Sequence, residues 1–202
     1  MNSSEWRAFL KNYSNEILAC SEVWERSGEK LSEEAVASRW LGFPAATSEM
    51  LTEAENRLKT ELPPSLRSFY LLTNGWRLTG FSVWEVLPIE RIGWLCDLIP
   101  DLHDIAFEAE QSVGPFKKDP DGKRLADYKL EQGTRVMRSL VISIKGDASN
   151  WLLDPGSVNS EGEWAAGRWS SWNPAMVWLA ESFAGLMQQE LVSFRELRDE
   201  TA

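Results

Sequence analysis

Between Leu62 and Trp76 the chain reads LPPSLRSFYLLTNGW, and no other stretch limits the fold as tightly. Pro64 has a preset φ and no N–H to lose, which suits the first turn of a helix. From Ser65 onward the apolar residues Leu66, Phe69, Tyr70 and Leu72 recur close to helical spacing. Asn74 and Gly75 tolerate left-handed backbone, so the pair predicts the C-cap of that helix, with Trp76 sealing the corner. A short apolar helix with hard stops at both ends reads as a buried structural pivot and carries no chemistry of its own.

The flanking sequence supplies the layers around it. Trp6, Leu10, Tyr13, Ile17, Cys20 and Trp24 recur at steps of three and four, which predicts an amphipathic helix over 4–27, capped by Ser3 or Ser4 and ended by Ser27-Gly28. We read residues 1–30 as an N-terminal helical extension packed on the core and 31–202 as the main domain. A short helix over 32–41 leads to Trp40. Thr47 or Ser48 caps the next helix, whose inner face is Leu51, Ala54 and Leu58. After Trp76 the period becomes strand-like through Val86, and Ile89 to Cys96 reads as a short helix or turn. Leu98 to Glu110 predicts a helix with Leu98, Leu102, Ile105 and Ala109 inward. Residues 112–134 read as a long surface loop, with turn signals at Gly114-Pro115 and Asp119-Pro120-Asp121-Gly122. The segment MRSLVISIK (Met137–Lys145) is the best strand in the chain. Asn150–Leu153 and Glu163–Trp172 are further strands, separated by a turn at Asp154-Pro155-Gly156. Asn173-Pro174 is read as opening a final helix, Ala175–Arg198, lined by Leu179, Phe183, Leu186, Leu191 and Phe194. The fold class expected is α+β, with a central antiparallel or mixed sheet of about five to six strands flanked by helices.

The chain has 202 residues, 43% of them hydrophobic and 26% charged, enough for a real core. Eleven tryptophans exceed ordinary usage, and their area and N–H suit cores and interfaces. The formal charge of −10 disfavours binding to nucleic acid or anionic lipid and suits either solubility or a basic partner. Cys20 and Cys96 lack metal spacing and read as thiols in a reducing compartment. The start MNSSEWRAFLKNYSNE has no apolar signal region, and no run approaches the ~18 apolar residues of a membrane span, so a cytoplasmic location is expected.

Catalytic and metal frameworks are hard to assemble. His103 is the single histidine, and its acidic neighbours read as a solvated helix face rather than three or four converging ligands. The Asp119–Gly122 turn lacks the later ligands of a calcium loop, and Lys123 and Arg124 follow instead. Glu161 and Glu163 are read as an exposed hairpin edge rather than an acid–base pair. There is no phosphate-binding glycine loop and no nucleophile elbow. The basic residues of 117–129 are interleaved with aspartates, so they make no nucleic-acid patch. No enzyme activity, metal or cofactor is expected.

Several blocks together resemble the SUKH superfamily, of the Smi/Knr type. These are Trp40-Leu41-Gly42-Phe43-Pro44-Ala45, the Leu-Pro-Pro-Ser helix, the Asn74-Gly75 turn and Trp84-Glu85-Val86-Leu87-Pro88. Trp151-Leu152-Leu153-Asp154-Pro155, Gly162-Glu163-Trp164 and Ser171-Trp172 complete the match, which covers about residues 38–195. The resemblance implies the same α+β fold and a structural role for Trp40, Pro63, Pro64, Asn74, Gly75, Pro88 and Asp154. It further implies a non-catalytic bacterial immunity protein that neutralises a cognate polymorphic or contact-delivered toxin by direct binding. The alternatives are a regulatory scaffold of the cell-wall-signalling type and a small-ligand-binding domain.

Residues 85–110 contain seven acidic side chains against Arg91, the steepest charge asymmetry in the chain. On a helix starting near Pro100, Asp101, Asp104 and Glu108 form one row. The partner-binding residues expected are Asp97, Asp101, Asp104, Glu108 and Glu110, facing a basic toxin.

Overall fold

The structure is a computed structural model that describes residues 1–28, 30–101, 132–147, 149–170 and 173–201. Five short helices come first: α1 (Ser3–Leu18), α2 (Ser21–Ser27), α3 (Glu33–Ser38), α4 (Ser48–Leu58) and α5 (Pro64–Tyr70). A pair of two-residue strands comes next, β1 (Trp76–Arg77) with β2 (Glu85–Val86). Then come β3 (Gly93–Trp94), α6 (Leu95–Leu98), α7 (Gln132–Met137), β4 (Leu140–Ser143), β5 (Ser149–Val158), β6 (Trp164–Ser170), β7 (Asn173–Ala180) and α8 (Phe183–Thr201). The five strands β3 to β7 form one antiparallel sheet in chain order, so the expected α+β class holds.

All four residues of β4 and the first six of β5 are buried, which means the centre of the sheet is covered on both faces. Helices α1, α5 and α8 meet on it through Trp6, Phe69 and Phe183. Their ring centroids lie 5.0–5.7 Å apart, a spacing that adds aromatic attraction to burial. Trp6 satisfies its indole N–H by donating to Ser68 Oγ at 3.0 Å. Arg195 of α8 donates to both carboxylate oxygens of Glu16, which ties α1 to the last helix.

Helix α4 has Thr47 as N-cap and buries Leu51, Ala54 and Leu58, as their spacing predicts. Helix α5 carries Pro64 at its first turn but stops at Tyr70, with Leu71 as a right-handed C-cap. The Asn74-Gly75 pair is therefore not a helix cap. Gly75 does have positive φ, +100°, but in the turn that enters β1. The reason is packing: a Cβ there would stand 2.8 Å from Val86 O and 3.1 Å from Pro88 N.

Further expectations need correction. The first helix is capped by Asn2, not Ser3 or Ser4, in a capping box with Glu5, and it breaks at Ala19 before α2. The helix expected over Leu98–Glu110 does not start at Leu98, which is the last residue of α6, and its part from residue 102 onward lies outside the described residues. Ile99 precedes Pro100 and leaves the helical region at φ −139°, ψ 67°, in keeping with the bias against α before a proline. Leu98 is accordingly exposed rather than inward. Asp154-Pro155-Gly156 lies inside β5, where the register shifts between Asp154 and Val158, so the turn signal marks a bulge. Asn173-Pro174 begins β7, not the last helix; β7 is an edge strand, where a proline's missing N–H is tolerated. Residues 132–137, read as part of a loop and the start of a strand, form α7.

Candidate functional site

The acidic stretch of the sequence includes the loop from Pro88 to Ile92. Two side chains fix that loop through its backbone. Asn74 accepts from the Ile89 N–H at 2.8 Å and donates to Glu90 Oε2 at 3.0 Å. Arg57 of α4 donates to Ile92 O at 2.7 Å and Ile89 O at 3.0 Å. Asn74 thereby joins the turn before β1, and Arg57 joins α4, to the loop that leads into β3. Arg57 commits its guanidinium to these carbonyls, so its charge is held by the backbone.

Beyond the loop, Gly93 and Trp94 pair with Val141 and Leu140, and the Leu95 N–H donates to Ser139 O at 3.0 Å. Leu98 lies against Gly93, so closely that a Cβ on the glycine would approach it to 3.0 Å. This contact seats the single turn α6, on which Cys96, Asp97 and Leu98 are exposed. The Cys96 thiol donates to Asp97 Oδ1 at 3.6 Å. Partial burial, followed by the Asp97 charge, pushes the thiol pKa up, which keeps this sulfur protonated and a poor nucleophile.

Of the five residues expected to bind a partner, Asp97 and Asp101 are described and both are exposed, Asp97 on α6 and Asp101 in the turn after it. Asp104, Glu108 and Glu110 lie outside the described residues, as do His103, the Asp119–Gly122 turn and Ser171-Trp172. Glu90 is exposed on the same stretch. Among the described residues no group of three or more His, Cys, Asp or Glu is placed to hold a metal ion. No helix among them is long and apolar enough to cross a membrane. Cys20 and Cys96 are both free thiols.

Two buried carboxylates escaped the sequence reading. Glu163, expected on an exposed hairpin edge, is instead buried. It accepts from the Ser65 N–H at 2.7 Å and from Ser65 Oγ at 2.6 Å. Ser65 Oγ in turn accepts from the Ala184 N–H at 3.3 Å, so one carboxylate closes the start of α5 and links it to α8. Glu190 is buried on the inner face of α8, the face that also buries Met187, Leu191 and Phe194. Burial pushes its carboxyl up to about 7, with the Arg168 charge pulling the other way. The helical spacing from Phe183 through Met187 to Glu190 and Phe194 was the available signal, since it puts Glu190 on the apolar stripe. Both groups lie in the interior.

The family model described as SMI1 / KNR4 family (SUKH-1) matches the chain over residues 45–189. No curated protein matches the chain.

Proposed function

The chain belongs to the SMI1 / KNR4 family (SUKH-1), and from that premise we propose that it is a bacterial immunity protein, acting in the cytoplasm, which neutralises a cognate toxin by binding it. The family is generally one of non-enzymatic binding domains, and binding alone suffices for such a role. The observation that carries the reading is the exposed carboxylate pair Asp97 and Asp101, on a stretch that also exposes Glu90. The loop that carries Glu90 is held by Asn74 and Arg57, so that charge is presented with little ordering cost on docking. Exposed Leu98 adds an apolar contact within this charged rim. A net charge of −10 steers a basic partner towards the molecule, and fast association is what an antidote requires.

The test is kinetic. A tagged chain is used to capture its toxin from the native host, and association is then followed at low and high salt. The double variant Asp97→Lys/Asp101→Lys is expected to associate ~10-fold more slowly at low ionic strength, with the difference shrinking as salt rises. A variant that associates as fast as the wild type would assign docking to another face.

A further inference from the structure

The segment 40–44 and the face of α3 enclose a pocket of about 280 Å³, lined by Trp40, Phe43, Pro44, Arg77, Glu34 and Ser38 among others. Arg77 is the informative residue. Its guanidinium lies over the Phe43 ring, 3.6 Å from the centroid. Nη1 donates to Gly42 O at 2.8 Å and Leu41 O at 3.2 Å. Stacking on one face and two bonds on one nitrogen fix the plane of the group. Among the described residues Nε and Nη2 have no acceptor. Burial lowers the Arg77 pKa, with Glu34 acting in the opposite direction, as expected for a cation withdrawn from water without a carboxylate bonded to it.

The walls are as specific as the charge. Trp40 packs edge-on against Trp76, centroids 5.3 Å apart, so its indole is held in place. Gly42 permits that arrangement, because a Cβ would meet Trp40 Nε1 at 2.6 Å. The pocket therefore combines fixed aromatic and proline surfaces with one oriented, half-buried guanidinium, the pairing that recognises a planar anion on an apolar body. Glu34 on the same lining weighs against a dianion such as a phosphate monoester. The volume fits a group of amino-acid size.

We propose that this pocket binds a monocarboxylate carried on an apolar or aromatic group, with the Arg77 fork taking the carboxylate and Trp40, Phe43 and Pro44 the apolar part. This proposal does not depend on the toxin-binding reading. Two sources carry this chemistry, the carboxyl-terminal residue of a peptide and a free small organic acid.

Calorimetric titration with four probes separates the cases: phenylacetate, N-acetylphenylalanine, a tripeptide ending in free phenylalanine, and its amide. The carboxylates are expected to bind and the amide to bind at least ~10-fold more weakly. Tight binding of the tripeptide alone identifies a chain terminus, and tight binding of phenylacetate identifies a small acid. Arg77→Gln should abolish the preference for the acid. Because Arg77 also holds the Leu41 and Gly42 carbonyls, Glu34→Gln provides the control that misfolding cannot imitate: affinity for the carboxylates should rise several-fold. Equal binding of acid and amide, no binding of any probe at millimolar concentration to the folded chain, or unchanged affinity in both variants would overturn the proposal.

Discussion

Glu163 and Ser65 stand 98 residues apart in sequence and meet through two hydrogen bonds, 2.7 Å from the Ser65 N–H and 2.6 Å from its hydroxyl. The carboxylate does for α5 what a capping side chain does elsewhere, because Pro63, the residue at the N-cap, has no side-chain acceptor. Glu163→Ala leaves a buried hydroxyl and a helix-terminal N–H without their acceptor and is expected to cost about 2–3 kcal/mol. Urea unfolding measures it. A change below about 0.5 kcal/mol would mean that water replaces the carboxylate at no cost, contrary to the burial of both groups.

Glu190 gives the chain a pH signature. Its carboxyl titrates at about 7 when folded, against an ordinary value of 4.5, so the folded chain holds more protons across that interval. Stability attributable to this group is full below about pH 4.5, falls as pH rises towards 7, and is level above. The groups facing it are Arg168, which favours its charge, and Tyr13, whose own pKa is raised by burial and then by Glu190. Glu190→Gln should remove the slope and gain on the order of 3 kcal/mol at pH 8. The comparison is made by subtracting the two unfolding profiles, which cancels the other carboxylates. Parallel profiles would show that Glu190 is hydrated.

Gly75 combines positive φ with close backbone on the other side, Val86 O and Pro88 N. Gly75→Val is expected to lower the melting temperature clearly, since the left-handed backbone alone costs a residue with a Cβ about 1 kcal/mol or more. Circular dichroism melting is sufficient. An unchanged melting curve would require the turn into β1 to be rebuilt.

Trp6 is fully buried between Phe69 and Phe183, although it precedes the family-matched segment that begins at residue 45. Trp6→Ala is expected to cost about 3–5 kcal/mol, the range for deleting a large core aromatic. Chemical denaturation reads the loss directly. A cost near zero would show that α1 is dispensable to the core.

What the sequence made legible was local. Pro64 marked the start of α5, Thr47 the start of α4, and the β-branched run of β4 its strand, because each signal acts within a turn or two. Where tertiary position decides, the sequence misled. Asn173-Pro174 has the composition of a helix start and becomes a strand because β7 is at the sheet's edge. Asp154 sits in an apparent turn motif, yet it accepts from the Gly156 N–H and pairs with Arg135, which stabilises a bulge within β5. Glu163 could not be distinguished from an exposed hairpin glutamate without knowing that Ser65 arrives beside it. For the acidic stretch, charge density was legible, and the loop anchors Asn74 and Arg57 were not, because both act on backbone atoms of a distant segment.

If this chain protects a cell by binding a toxin, it should rescue a sensitive bacterial host. The measurement is survival after induction of the toxin captured with the tagged chain, in the presence and absence of the chain. The expected result is full growth with the wild-type chain and with His103→Ala, and weakened protection with Asp97→Lys/Asp101→Lys. Cells that die equally fast with and without the folded, expressed chain would contradict the proposed role.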